Sequence, residues 1–384
     1  MPKIEENLAT LMTTSPPRQL VSYIAHAAPA TRRPARGDEP FLRPEIGFTP
    51  KWFRDALGID FGDRWHTDPS YRRETIAAMS AETRRRFGTR ANLGILQDPE
   101  DPVDLLTGTY GALLVPGVYG VPMKFQQVDW PWSQHGQFLN DAAADALEPP
   151  DLDNNPFWDQ FMAQLDAIEK QVGRIEGFMN WQGVVNNSYR LRGEELFSDM
   201  IIEPERVKHI FDCVTETMID GMRRLYARQR QSGVELSHCT ISNCMVNLLS
   251  PEQYQEFVLP RDRRIAEAFS MIGVHNCAWN ADAYVPHYAT LPRVAYVDMG
   301  LESDLVEAKQ AFPTARRALM YTPMDVKEKP LEQIEKDLDR IAREYGPCDL
   351  VCADIESGTP DERILELFDL CDRLSTTYGA GAME

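Results

Sequence analysis

The chain has 384 residues, and 40 Lys and Arg against 59 Asp and Glu leave a net charge of −19. So acidic a chain repels nucleic-acid phosphates and anionic membrane surfaces, which excludes both as partners. Its 43% hydrophobic and 26% charged content is that of a globular protein, not of a disordered or fibrous one.

The N-terminus, Met1-Pro2-Lys3-Ile4-Glu5-Glu6-Asn7, has no basic region followed by an apolar one, so no signal peptide is expected. No run of about 18 apolar residues offers a membrane span. Seven cysteines are too few for a disulfide scaffold. A reducing cytoplasm is the expectation, where cysteines are structural, catalytic or metal-binding.

The first 110 residues are irregular, with Ser15-Pro16-Pro17, Arg32-Arg33-Pro34, Pro40 and Pro44. Gly47-Phe48-Thr49-Pro50 leads into an amphipathic stretch carrying Trp52, Phe53 and Leu57, and Arg72 to Phe87 reads as a charged helix. This portion, 1–110, is expected to be an extension packed on a larger domain, 111–384. Trp130 and Trp132, flanking Pro131, are aromatic enough to line a pocket, although packing is the commoner role.

From Gly111 onward short apolar runs alternate with amphipathic helices. Phe157, Phe161, Leu165, Ile168 and Val172 share one helical face, as do Val207, Ile210, Phe211, Val214, Met218, Met222 and Leu225. Ser250-Pro251-Glu252-Gln253 and Thr359-Pro360-Asp361-Glu362 are capping boxes that open two further helices, and Lys329-Pro330 opens another. Between them lie strand-like runs at 175–178, 235–241, 272–277, 294–297, 318–321 and 349–353. Such alternation predicts a parallel α/β construction. Neither G-x-G-x-x-G after an early strand nor a Walker A run is present, so a (β/α)8 TIM barrel is preferred over a nucleotide-binding sheet.

That fold collects chemistry at the C-terminal ends of its strands. His275 and Cys277 are two apart, so on a strand their side chains share a side. Cys352 closes the last expected strand and would reach the same mouth. Imidazole and two thiolates from separate strands match a catalytic zinc, which keeps one position exchangeable. Asp298, ending another strand, is a candidate for the fourth position. His238, Cys239 and Cys244 form a rival cluster. Cys213 and Cys371 lie on apolar helix faces, and Cys348 reads as a loop residue beside Gly346-Pro347.

Between Gly177 and Leu374 the chain resembles the uroporphyrinogen decarboxylase-like superfamily, and within it the zinc-dependent, corrinoid-linked methyltransferases. The resemblance rests on the stretch from Asn243-Cys244-Met245 to Leu259-Pro260, on Gly273-Val274-His275-Asn276-Cys277, and on Tyr296-Val297-Asp298-Met299-Gly300. Asp304-Leu305-Val306-Glu307-Ala308-Lys309 and Gly358-Thr359-Pro360 continue it. That branch carries His-x-Cys with a second cysteine roughly 75 residues on, and Cys352 follows Cys277 by 75 positions. An acidic residue about 20 positions after the first cysteine is a further ligand there, and Asp298 stands 21 after it. The decarboxylase branch fits less well, since its N-terminal Arg-Gln-Ala-Gly-Arg run is missing.

The resemblance implies a zinc-dependent methyltransferase with a corrinoid of the methylcobalamin type as methyl carrier. Zinc held by two thiolates and an imidazole would keep a substrate thiol ionised at neutral pH. The partners implied are a separate corrinoid protein or free cobalamin, and a small-molecule methyl donor or acceptor such as a thiol, folate or methoxylated compound. A homodimer is compatible with this reading.

Softer candidates complete the mouth. Asn180, Trp181, Asn186 and Asn187 follow the 175–178 run, and Asn243 follows another strand; these could bind a polar substrate. Glu45 would end a first barrel strand as acid or base, and Tyr321 would face the cavity. Two rival functions use the same barrel: a metal-free decarboxylase or lyase with His275 in proton transfer, and a non-catalytic corrinoid-binding protein.

Overall fold

The computed structural model describes residues 40–88, 103–134, 136, 138–236 and 238–379. The Ser15-Pro16-Pro17 run and the cluster Arg32, Arg33 and Arg36 lie outside the described residues.

Polar-Pro pairs start three of the helices. Thr49, Asp68 and Asn155 each accept a backbone N–H with their side chains, and a proline follows each in the first helical turn. The resulting helices are Pro50–Leu57, Pro69–Phe87 and Pro156–Val172. Pro204–Gln231 and Leu331–Tyr345 form where apolar spacing places them, and Asp361–Gly379 follows Thr359-Pro360, although among the described residues the Thr359 hydroxyl finds no partner and the expected capping box does not form. The helix opened by the Ser250 capping box departs from a simple reading. It runs as Pro251–Gln253, takes a π turn over Tyr254–Val258 and resumes as Leu259–Ala268. Pro260 supplies no N–H at that join, which favours a break in the regular ladder.

The strands are β1 (Leu42–Phe48), a short hairpin of β2 (Met123–Lys124) and β3 (Trp132–Ser133), then β4 (His238–Ser242), β5 (Met271–His275), β6 (Val294–Gly300), β7 (Arg316–Met320) and β8 (Cys348–Ile355). Six of them form one parallel sheet in the order β1-β8-β7-β6-β5-β4. Extended segments at Asp104 and Glu176 touch through an isolated parallel bridge. The 175–178 run thus makes less sheet than its composition suggests. The Asp104 carboxylate turns the chain locally by accepting from the N–H groups of Leu106 and Thr107, and Gly177 sits at φ 108°. The whole is a TIM-barrel-like α/β fold.

Two boundaries need correction. β1 lies inside the stretch read as an extension, yet it pairs with β8 from Leu42↔Cys348 to Phe48↔Ile355. Cys348 is the buried first residue of β8, not a loop residue.

Strand alternation sorts the side chains into barrel and helix layers. Tyr296, Ala318, Val351 and Ala353 pack together as an inner cluster. Gly273 belongs to this layer, since a Cβ there would meet Thr240 Oγ1 at 2.5 Å and Tyr296 Cβ at 3.2 Å. Below them Arg316 pairs with Asp349 at 2.6 Å and Glu45 at 3.1 Å, and Arg43 pairs with Asp349. The barrel is therefore filled by charge pairs at one level and apolar groups above. Its open chemistry begins past the strand ends.

Candidate metal centre

β5 ends at His275, and the chain then turns. Cys277 occupies the left-handed region at φ 58°. That is costly for a side-chain-bearing residue and is held only where surroundings fix it. Asn276 does the fixing. Its N–H donates to Asp298 Oδ1 at 2.7 Å, its Nδ2 donates to the Asp298 carbonyl at 2.7 Å, and its Oδ1 accepts from the Tyr288 hydroxyl at 2.8 Å. His275 and Cys277 do meet, with Nε2 3.1 Å from Sγ. The turn brings them together, whereas simple strand alternation was the expected cause.

The third member is Cys244. Its Sγ is 2.9 Å from Cys277 Sγ, and ligand atoms of Cys244, His275 and Cys277 all lie within 4.8 Å of one another. β4 explains how it arrives there. Cys239 is buried with Asp262 as an electrostatic neighbour, which faces it to the helix layer, and Asn243 donates to Asp262 at 3.0 Å. Cys244, one residue on, falls at the mouth. Of the rival cluster only Cys244 reaches the thiols, since His238 sits at the start of β4 with its ring 5.3 Å from Phe178.

Cys352 is the main correction. Val351 and Ala353 face the barrel, so Cys352 between them faces the helices. It is fully buried in the core, burial pushes its thiol far above the ordinary value, and its electrostatic neighbour is Cys371 on the last helix. Sequence spacing gave the right distance along the chain and the wrong side of the strand.

Asp298 is at the centre but not in a ligand position. Its Oδ2 lies 2.6 Å from His275 Nδ1 and accepts from the Tyr296 hydroxyl at 2.7 Å, while Oδ1 is taken by Asn276. With Nδ1 so engaged, Nε2 is the nitrogen left toward the thiols. Such a carboxylate–imidazole pair fixes ring orientation and tautomer behind a metal. Burial opposes the imidazolium, but Asp298 and Cys244 outweigh it and raise His275 to about 10. The two thiols share their proton unequally. Donation from Cys277 lowers Cys244 well below the usual thiol value, and the same contact raises Cys277.

Other expected site residues are placed elsewhere. Glu45 is fully buried in the ion-pair network beneath the mouth. The Tyr321 hydroxyl donates to Asp337 at 2.8 Å in the helix layer, because the strand before it turns Arg316, Ala318 and Met320 inward. Trp181 packs against Gly221 of the long helix Pro204–Gln231. Asn187 Nδ2 bonds the Trp181 carbonyl at 2.9 Å and approaches Met218 Sδ at 3.6 Å, and so also faces that helix. Asn243 serves Asp262, as described above. Asn180 is buried, its Oδ1 accepts from Gln182 N and Nε2 at 3.1 and 2.9 Å, and its Nδ2 has no protein partner. Trp130 is buried against Trp65, and Trp132 is exposed beneath Lys124.

Sequence reasoning passed over Gln182, Arg190 and Asp354. Left-handed backbone marks Gln182 at φ 57° and Asp354 at φ 58°, like Cys277. Asp354 follows the inward Ala353 and contributes to the raised Cys277 value. No cue in the sequence announces a left-handed non-glycine residue.

Comparison with known proteins agrees with the fold. A methyltransferase from Methanosarcina mazei aligns at TM-score 0.62 and 17% identity, over 88% of this chain and 94% of that one. A chain described as a putative vitamin-B12 independent methionine synthase from Listeria monocytogenes aligns at TM-score 0.36 and 14% identity, over 60% of this chain and 71% of that one, too weakly to carry argument. No curated protein matches significantly. The family model described as uroporphyrinogen decarboxylase (URO-D) matches residues 91–351, more than half of the chain, so the protein belongs to the URO-D family.

Proposed function

We propose that the protein is a zinc-dependent methyltransferase that moves a methyl group between a corrinoid carrier and a small-molecule donor or acceptor. The observation that carries this reading is the Cys244–His275–Cys277 cluster at the strand ends, with His275 anchored on Asp298. The donor set fits zinc: two thiols and one imidazole, with the Asp298 carboxylate behind the imidazole. Bound zinc would act as a Lewis acid and hold a substrate thiol ionised, serving transfer in either direction.

The chain's own residues would do the rest. Cys244, His275 Nε2 and Cys277 would hold the ion. Asp298 would keep the imidazole in the tautomer that leaves Nε2 free, and Tyr296 and Asn276 would keep Asp298 in place. The lean of Cys244 toward thiolate favours metal capture, which requires deprotonated thiols. The mouth faces outward at the strand ends, where a separate corrinoid protein or free cobalamin would dock. The likeness in fold to the Methanosarcina methyltransferase supports the reaction class.

Metal analysis of the purified full chain, with transfer from methylcobalamin to small thiols followed by the cobalt spectrum, tests the proposal. About one zinc per chain is expected. Cys244→Ala and Cys277→Ala should lose both zinc and transfer. A chain that binds no zinc, or transfers equally well without these cysteines, would overturn it.

A further inference from the structure

The metal-centre reading leaves one strong cation at the mouth without a task. Arg190 lies on the helix Val184–Arg192. Among the described residues its guanidinium makes a single hydrogen bond, from Nη1 to the Asn186 carbonyl of its own helix at 3.2 Å. Among the described residues no carboxylate pairs with it. Its neighbour Arg192 shows the contrast, held by Asp141 at 2.5 Å and Asp199 at 2.8 Å. Arg72, fully buried, is satisfied by the carbonyls of Leu105 and Trp65 and by Gln164. Arg190 has neither kind of shell.

Its location is defined by Asn186. That side chain accepts from Met245 N at 3.3 Å, which fastens the helix to the loop just past Cys244. Arg190 lies one turn further along the same helix, its Nη1 on the Asn186 carbonyl. Arg190 and Cys244 interact electrostatically: burial lowers the arginine's pKa and Cys244 opposes that. The side chain is partly buried and keeps some exposure. A guanidinium carries five N–H donors in a planar fork suited to an oxyanion, and one is used among the described residues. Leaving such a cation partly desolvated and unpaired is costly, and a bound anion would remove that cost. In a chain carrying −19, an anionic substrate also needs a dedicated cation to overcome general repulsion.

We propose that Arg190 is the anion receptor of this site, pairing with an oxyanion of the carboxylate class on the small molecule that reacts at the Cys244–His275–Cys277 cluster. This deepens the methyltransferase reading and rests on it for the identity of the reacting molecule. The receptor itself rests only on Arg190 and its position by Cys244.

Alkylation of the full chain tests it without any transfer assay. After metal is removed by a chelator under reductant, Cys244 is treated with iodoacetate or with uncharged iodoacetamide and followed by peptide mass spectrometry. In each case sulfur attacks the methylene carbon, the C–S bond forms as C–I breaks, and iodide leaves. In the wild type, preference for iodoacetate should exceed that of free cysteine by about tenfold, the scale of one charge-assisted hydrogen bond. Propionate should slow the iodoacetate reaction and propionamide should not. Arg190→Met should return the preference to that of free cysteine, and Arg190→Lys should keep part of it. Equal preference in wild type and Arg190→Met, or equal protection by propionate and propionamide, overturns the proposal. The protection experiment needs only wild type, so it decides even if a variant fails to fold. A chain that binds no zinc but shows the anion preference would sink the metal reading alone.

Discussion

Asp298 holds His275 and the turn carrying Cys277 with one carboxylate: Oδ2 lies 2.6 Å from His275 Nδ1, and Oδ1 accepts from Asn276 N at 2.7 Å. Asp298→Asn keeps the size but replaces one acceptor oxygen with an N–H donor, facing either the imidazole or the Asn276 N–H. Zinc affinity should fall by about 10–100-fold, the usual cost of losing an outer partner. Competition with a chromophoric chelator measures it. Unchanged affinity would show that the carboxylate does not orient the ligand.

Cys244 and Cys352 give opposite expectations, and the two serine variants separate them. Cys244→Ser should lose zinc by more than the Asp298 variant does, with little change in stability because the site is at the mouth. Cys352→Ser should bind zinc normally and lose about 1–3 kcal/mol of stability, since a hydroxyl is placed in an apolar core. Zinc content and urea unfolding on the same preparations check both halves.

The contrast shows what was legible in the sequence. The helix start at Ser250-Pro251 was readable because a capping box is local chemistry. Most barrel strands were readable from apolar runs between helices. His275 and Cys277 were found because a two-residue spacing is a local cue. The third thiol was not, since choosing between Cys244 and Cys352 depends on strand parity, and a one-residue shift reverses the face. Val351 and Ala353 fill the barrel, so Cys352 cannot. Asp298 was found as a residue, and the structure places it behind His275, a position that a sequence pattern does not distinguish from that of a ligand.

Asp262 should impose a pH dependence on stability. Burial raises its carboxyl to about 7 from 3.8, although Asn243 and Tyr254 donate to it. A raised carboxyl favours the protonated folded state. Its contribution is therefore complete below pH 3.8 and is lost as pH rises through about 7. Three pH units correspond to an upper scale on the order of 4 kcal/mol. His66 works the other way: burial lowers it to about 3, so its contribution is lost as pH falls from 6.5 toward that value. The difference between wild type and Asp262→Asn isolates the carboxyl. Relative to wild type, the variant should gain stability between pH 4 and pH 8, read from urea unfolding at each pH. A constant difference across that range would mean that Asp262 is ionised in the folded protein throughout.

Glu45 should matter for folding and leave the metal centre intact. It is fully buried, with Arg316 Nη2 3.1 Å from its Oε1, while Arg316 also holds Asp349 at 2.6 Å and Arg43 pairs with Asp349. Among the described residues these ion pairs join Arg43 and Arg316 to Glu45 and Asp349 inside the barrel. Glu45→Gln removes one negative charge from this buried network and weakens the hold on Arg316. Breaking a buried pair in this way costs about 3–5 kcal/mol, because the remaining charge has no access to water. Glu45→Gln should therefore lower the urea midpoint strongly while the folded fraction still binds zinc like wild type. A role as acid or base predicts the reverse, unchanged stability with lost transfer. The double variant Glu45→Gln, Arg316→Met separates the charge effect from packing: by removing both charges it should recover part of the loss, and failure to recover any would mean that the cost of Glu45→Gln is not electrostatic.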